Sequence, residues 1–174
     1  GLGVDDSGPV ATIPAENPKA MKGAQLVYEG DIRMTHGVGM GSSFYGTDGR
    51  VECHRGIIGL WLGDKLVAGT ANRGDRNVNL GRELDKMESE YLKDAKVKLY
   101  RSSSHVPDFL NSMRTRKKPN THEIIGARTA SACHLLNKTY YNHKAIQWNP
   151  AKNTFAKGGD PKWLTRDYRG EWNV

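Results

Sequence analysis

The sequence predicts an α+β domain: an open, mainly antiparallel β-sheet with helices packed on one face. Three observations carry that class. Over the first half, apolar residues alternate with period two, at Leu26 and Tyr28 and again at Ile32 and Met34. After Arg76 the spacing becomes helical, with Leu80, Leu84, Met87 and Tyr91 on one stripe. A strand-like segment then returns at residues 145–148. Strands first, helices second and one returning strand is the order of an α+β sheet, not of a βαβ repeat.

Residues 1–174 read as a single domain, long enough to bury roughly 70% of the unfolded surface. Residues 1–23, rich in Pro, Gly and Asp, form an extended connector with one short strand at residues 10–13. Residues 24–76 read as a β-meander. Gly30-Asp31 turns the first pair of strands, and Asp48-Gly49 turns a hairpin between residues 43–46 and 50–54. A fourth strand, residues 57–62, stops at Gly63-Asp64. Residues 77–174 supply helices, the returning strand and a polar tail.

Each helix carries a start signal. Asn79 is placed to cap the first. Ser104 and the early-turn Pro107 open the second, whose stripe is Val106, Phe109, Leu110 and Met113. Asn120 and Glu123 have capping-box spacing for the third, on which Ile125, Ala132, Leu136 and Tyr140 share a face. Its Ala127, Ala130, Ser131 and Ala132 suit close approach to a sheet, and His134 is expected to sit between helix and sheet.

Charge narrows the partners. The chain holds 26 Lys and Arg against 19 acids, a net +7. Bases and acids interleave, as in residues 82–90, and the only dense cluster is Arg114, Arg116, Lys117 and Lys118 at a helix end, where cations complement the dipole. Nucleic acid is therefore not the expected ligand. The longest apolar run, residues 57–62, is broken by Gly59, so no membrane span is expected. No charged-then-apolar leader opens the chain, and a start at Gly1 suits a processed product or an artificially trimmed chain. Cys53 and Cys133 lack metal spacing and read as buried thiols.

Few motifs carry chemistry. Gly37-Val-Gly-Met-Gly41 approximates a dinucleotide fingerprint, but its third glycine is one residue early and a hairpin follows where a helix is needed. His-Glu-x-x-His, Cys-x-x-Cys, a phosphate loop and a nucleophile elbow are absent from the sequence. Six histidines without ligand spacing predict no metal. Trp61, Trp148, Trp163 and Trp172 read as core or tail anchors before they read as stacking platforms.

The last third resembles a known family. It runs Leu99-Tyr-Arg-Ser, His105-Val-Pro-Asp-Phe-Leu, Arg114-Thr-Arg-Lys-Lys-Pro, the small-residue segment 127–137, Ile146-Gln-Trp-Asn-Pro150 and Trp163-Leu-Thr-Arg-Asp-Tyr-Arg-Gly-Glu-Trp172. In that order these segments resemble the C-terminal domain of bacterial Gfo/Idh/MocA-type oxidoreductases, the NAD(P)-dependent sugar dehydrogenases. Gly1-Leu-Gly-Val-Asp-Asp-Ser-Gly-Pro9 resembles the stretch after that family's catalytic helix, whereas residues 73–94 depart from the pattern and read as an insertion.

The resemblance implies an N-terminal Rossmann domain of the same parent protein, holding NAD(P), with the catalytic acid–histidine helix upstream of Gly1. No catalytic residue and no cofactor contact is then expected in this chain, which alone is inactive. Lys117-Lys118-Pro119 looks like the family's Glu-Lys-Pro element but lies in the wrong half. The sheet would wall the cleft for a small sugar and join a homo-oligomer, in the bacterial cytoplasm or periplasm. Substrate candidates are His36, then Arg33 and Arg55. His36 lies on the apolar Ile32–Met34 face and is either a satisfied core histidine or a ligand, and strand arginines commonly cover a wet face. Rival readings are an NAD-dependent glycoside hydrolase acting through transient oxidation, a basic binding module for nucleic acid or acidic glycan, and a structural oligomerisation domain.

Overall fold

The computed structural model describes residues 8–37, 41–54, 56–71, 75, 77–96, 98, 104–166 and 170. In chain order come β1 (Ala11–Ile13), β2 (Gln25–Val27), β3 (Arg33–Thr35), β4 (Ser42–Tyr45), β5 (Gly49–His54), β6 (Ile57–Leu62) and β7 (Lys65–Gly69). Helices α1 (Leu80–Lys86), α2 (His105–Thr115) and α3 (Glu123–Asn142) follow, then β8 (Ile146–Asn149) and β9 (Thr154–Lys157). Every strand pair is antiparallel, so the α+β class holds. The strands fall into two sheets, ordered β3-β2-β1-β8-β9 and β4-β5-β6-β7, where the sequence reading ran one meander through both. The chain forms two compact units, Gly1–Gly37 with Leu99–Val174, and Val38–Lys98.

In the first unit, Leu26, Ala132, Leu135, Ile146 and Trp148 make the core, with Tyr28, Leu136, Phe155 and Trp163 packed around it. Trp148, Phe155 and Trp163 meet edge to face in sequence, at centroid distances of 5.1 and 5.8 Å. Trp163 is thus an anchor, as its sequence context suggests. A hydroxyl network runs under the helix. The Ile146 N–H donates to Thr12 Oγ1 at 3.1 Å, and the Thr139 hydroxyl donates to the Leu135 carbonyl at 2.8 Å. With Thr139's only proton used there, Thr12 is the donor in the 2.6 Å Thr12–Thr139 contact. That fixes every direction in the buried network and ties β1, β8 and α3 together.

Helix α3 differs in detail from the sequence reading. Its N-cap is His122, while the Asn120 N–H is taken by Asp108 Oδ2 at 2.9 Å, so no capping box forms there. Its buried residues are Ala132, Leu135 and Thr139. His134, one position from Leu135 and so about 100° round the helix, faces solvent and does not lie between helix and sheet. Cys133 is exposed and Cys53 only partly buried, which corrects the expectation of two buried thiols. The α2 stripe keeps Val106, Phe109, Leu110 and Met113 between 43 and 59% exposed, so it is not a core stripe.

In the second unit, Leu60, Ala68 and Met87 form the core, bordered by Val51, Ile58 and Val67. Strand β7, which the sequence reading did not find, completes the sheet beside α1. Asn79 caps α1 as expected, its side-chain oxygen accepting from the Arg82 N–H at 3.1 Å. The α1 side chains also close the β7 edge. Gly69 N–H donates to Glu83 Oε2 at 2.6 Å, and Lys86 Nζ donates to the Val67 carbonyl at 3.1 Å. Across the sheet, Trp61 lies over Gly59, where a Cβ would collide with its ring. The Arg50 guanidinium sits 4.4 Å from the Trp61 centroid and is oriented by Glu52 at 2.9 Å.

Candidate functional site

The site grows from one irregularity in the β2–β3 ladder. Regular pairing ends at Gln25 opposite Thr35. Beyond it, the His36 N–H donates to the Ala24 carbonyl at 2.9 Å, while the His36 carbonyl accepts from the Gly23 N–H at 2.7 Å. Two residues on one strand thus face one on the other, a bulge, and Gly23 has the φ of +92° that such a position favours glycine for. The bulge releases the Ala24 N–H from the ladder. That amide donates instead to Tyr140 Oη at 3.1 Å, from the last turn of α3.

Tyr140 Oη lies 2.9 Å from His36 Nδ1, and the two rings meet edge to face at 5.7 Å. With one Oη lone pair occupied by the Ala24 N–H, a neutral ring has two proton arrangements. If the phenol donates to Nδ1, Nε2 carries the imidazole proton and is a donor. If Nδ1 donates to Oη, Nε2 is a bare lone pair and an acceptor. In both, Nδ1 is satisfied and Nε2 is the imidazole atom left to meet a ligand. The residue is exposed, so it is not a buried core histidine. A neutral imidazole held at backbone and ring can bond a hydroxyl in either sense.

The other candidates are not gathered here. Arg33 is three positions from His36 and therefore on the opposite face of the strand. Its guanidinium pairs with Asp31 at 3.1 Å, at 52% side-chain exposure, as a wet-face residue. Arg55 lies outside the described residues, as do residues 1–7 and 99–103 of the family-like segments. Of the glycine run, residues 38–40 lie outside the described residues, and Gly41 is followed by strand β4, not by a helix. Phe109, Met113, Arg116, Lys117, Lys118 and Glu123 border an open groove of about 300 Å³ at the end of α2, where the basic cluster sits. Among the described residues no cluster of His, Cys, Asp and Glu suits a metal, and no helix is long and apolar enough to cross a membrane.

Sequence reasoning missed Tyr140 as a site residue. It lies 104 positions from His36 and was assigned to the apolar face of α3. The signal that could have found it is positional: a tyrosine in the last turn of a helix packed on a sheet carries its hydroxyl toward the end of that helix. At the other end of β2, burial raises the Tyr28 phenol above its ordinary pKa of 10.0, with a smaller push from Cys133. No family model, curated protein or solved structure matches this chain.

Proposed function

We propose that this chain is the C-terminal substrate-cleft and oligomerisation domain of a bacterial, NAD(P)-dependent oxidoreductase of the Gfo/Idh/MocA type, acting on a sugar or sugar derivative. The ordered family-like segments over residues 99–172 supply the assignment. The observation that gives it a site is the exposed His36 imidazole, fixed at Nδ1 by Tyr140 and at its backbone by Ala24 and Gly23. On this reading Nε2 bonds a substrate hydroxyl and helps hold the sugar. NAD(P), the hydride acceptor, and the group that removes the hydroxyl proton belong to the Rossmann half.

The test is the coding sequence upstream of Gly1 and the protein it encodes. It should contain a Gly-x-Gly-x-x-Gly unit between a strand and a helix, and a helix bearing an acid and a histidine. That protein should reduce NAD or NADP with at least one member of a panel of aldoses, inositols and sugar acids. His36→Gln should raise KM about tenfold with little change in kcat, the signature of a lost substrate hydrogen bond. Absence of the glycine unit, or an unchanged KM in the variant, overturns the reading.

A further inference from the structure

Four strand edges close the two sheets, and β4 differs from the rest. Edge β7 has one outward amide, of Gly69, and one outward carbonyl, of Val67, taken by Glu83 and Lys86 of α1. Edge β3 is three residues long and carries Arg33, and edge β9 carries Lys157. Short length, charge and cover are the usual protections of an edge. Strand β4 reads Ser-Ser-Phe-Tyr, with no charge, no proline and no bulge against β5, and all four residues are exposed. Among the described residues no side chain bonds its outer backbone.

The backbone pattern says which groups are open. Gly46 N–H donates to the Gly49 carbonyl at 2.9 Å, which makes this the hydrogen-bonded kind of antiparallel pair. Such pairs alternate along the ladder, so Ser42 and Phe44 direct their amides and carbonyls toward β5. Ser43 and Tyr45 therefore direct theirs to the open side.

We infer that β4 pairs antiparallel with β4 of a second copy of this chain, across a two-fold axis at Phe44. Only registers that keep same-face residues opposite are allowed. Centring on Phe44 places Ser43 opposite Tyr45 of the second copy and Tyr45 opposite its Ser43. All four outward groups of each strand then bond reciprocally, four hydrogen bonds across the axis. The two Phe44 rings, each 57% exposed here, meet at the non-hydrogen-bonded position, where side chains lie closest. On a chain of net +7, β4 carries no charged residue, so pairing with a second copy brings no strand charge to the contact. The contact is isologous and closes at two copies, giving one eight-stranded sheet. It deepens the self-association part of the proposed function and is independent of the redox part.

The experiment is sedimentation velocity of the full chain over a concentration series, with Phe44→Lys and Phe44→Glu. Wild type should be dimeric. Each variant alone should weaken the dimer about tenfold or more, because like charges then face each other at the axis. An equimolar mixture of the two should recover the dimer, which a misfolded variant would not do. A wild-type chain that stays monomeric at hundreds of micromolar overturns self-association and this edge together. A wild-type dimer that Phe44→Lys leaves unchanged, or a mixture that fails to recover, overturns the edge alone and leaves self-association through another surface.

Discussion

The unit built on β3-β2-β1-β8-β9 and the unit built on β4-β5-β6-β7 hold a helix against a sheet by different means. In the first, a 20-residue helix crosses strands drawn from both ends of the chain, and two threonine hydroxyls carry the backbone bonding into its underside. In the second, every element is a neighbour in sequence. The short α1 reaches the β7 edge with a carboxylate and an ammonium, and a tryptophan over a glycine fills the far face. The first is stitched by buried neutral hydroxyls of fixed direction. The second is stitched at its rim by charge and across its face by close contact. A buried hydroxyl pair cannot re-form with water when broken, whereas rim charges are partly solvated already.

The largest effect should come from the close contact. Gly59→Ala puts a methyl into the Trp61 ring, which is only 6% exposed and has Arg50 on it. The expected cost is about 2 to 3 kcal/mol. Trp61 is the only tryptophan in residues 38–98, so hydrogen exchange should show β5 and β6 losing protection while β1, β2 and β8 keep theirs. Equal losses in both sheets would break the comparison by making the two units one cooperative block.

Thr12→Val probes the hydroxyl network. Valine matches threonine in shape but leaves the Ile146 N–H without its acceptor and Thr139 Oγ1 without its donor. Urea unfolding should register about 1 to 3 kcal/mol, the penalty for an unsatisfied buried amide. A cost near zero would mean that apolar packing, not the hydroxyls, joins α3 to its sheet.

The smallest effect is confined to alkaline pH. Burial raises the Tyr28 phenol above 10.0, so the folded state holds that proton more tightly than the unfolded one. The contribution is fully present below the unfolded pKa and is lost as pH rises from about 10 through the folded value. Tyr28→Phe should flatten the fall in stability above pH 10 and leave the neutral range unchanged in slope. A wild-type curve with no such fall would place the phenol in water.

Local signals carried most of the strands and turns. Period-two alternation and the Asp48-Gly49 and Gly63-Asp64 turns are properties of adjacent residues, and so is the Asn79 cap. Strand β7 escaped because Lys65-Leu-Val-Ala-Gly69 lacks alternation, and β9 because Thr154-Phe-Ala-Lys157 is short and half polar. The division into two sheets was not legible, since alternation says which face a residue takes but not which strand it meets. His36 was legible as a special residue by its place on an apolar stripe. Its partner was not, because the bulge at Gly23 and the turn of α3 that delivers Tyr140 are set by contacts remote in sequence.

The interleaving of the two units bears on the order in which the chain takes shape as it leaves the ribosome. Residues 38–98 form a continuous stretch whose described strand pairings are all between neighbours, so this sheet needs no residue made after Lys98. Strand β1 must wait for β8, whose Ile146 pairs with Thr12 from 134 positions away. Until then β1, β2 and β3 have neither β8 nor α3 to pack on, and the Ala24 amide lacks Tyr140. Loop closure over such a distance is slow compared with hairpin formation. Nascent chains arrested before residue 123 should therefore protect β4 to β7 from protease while leaving the residues around His36 open to cleavage.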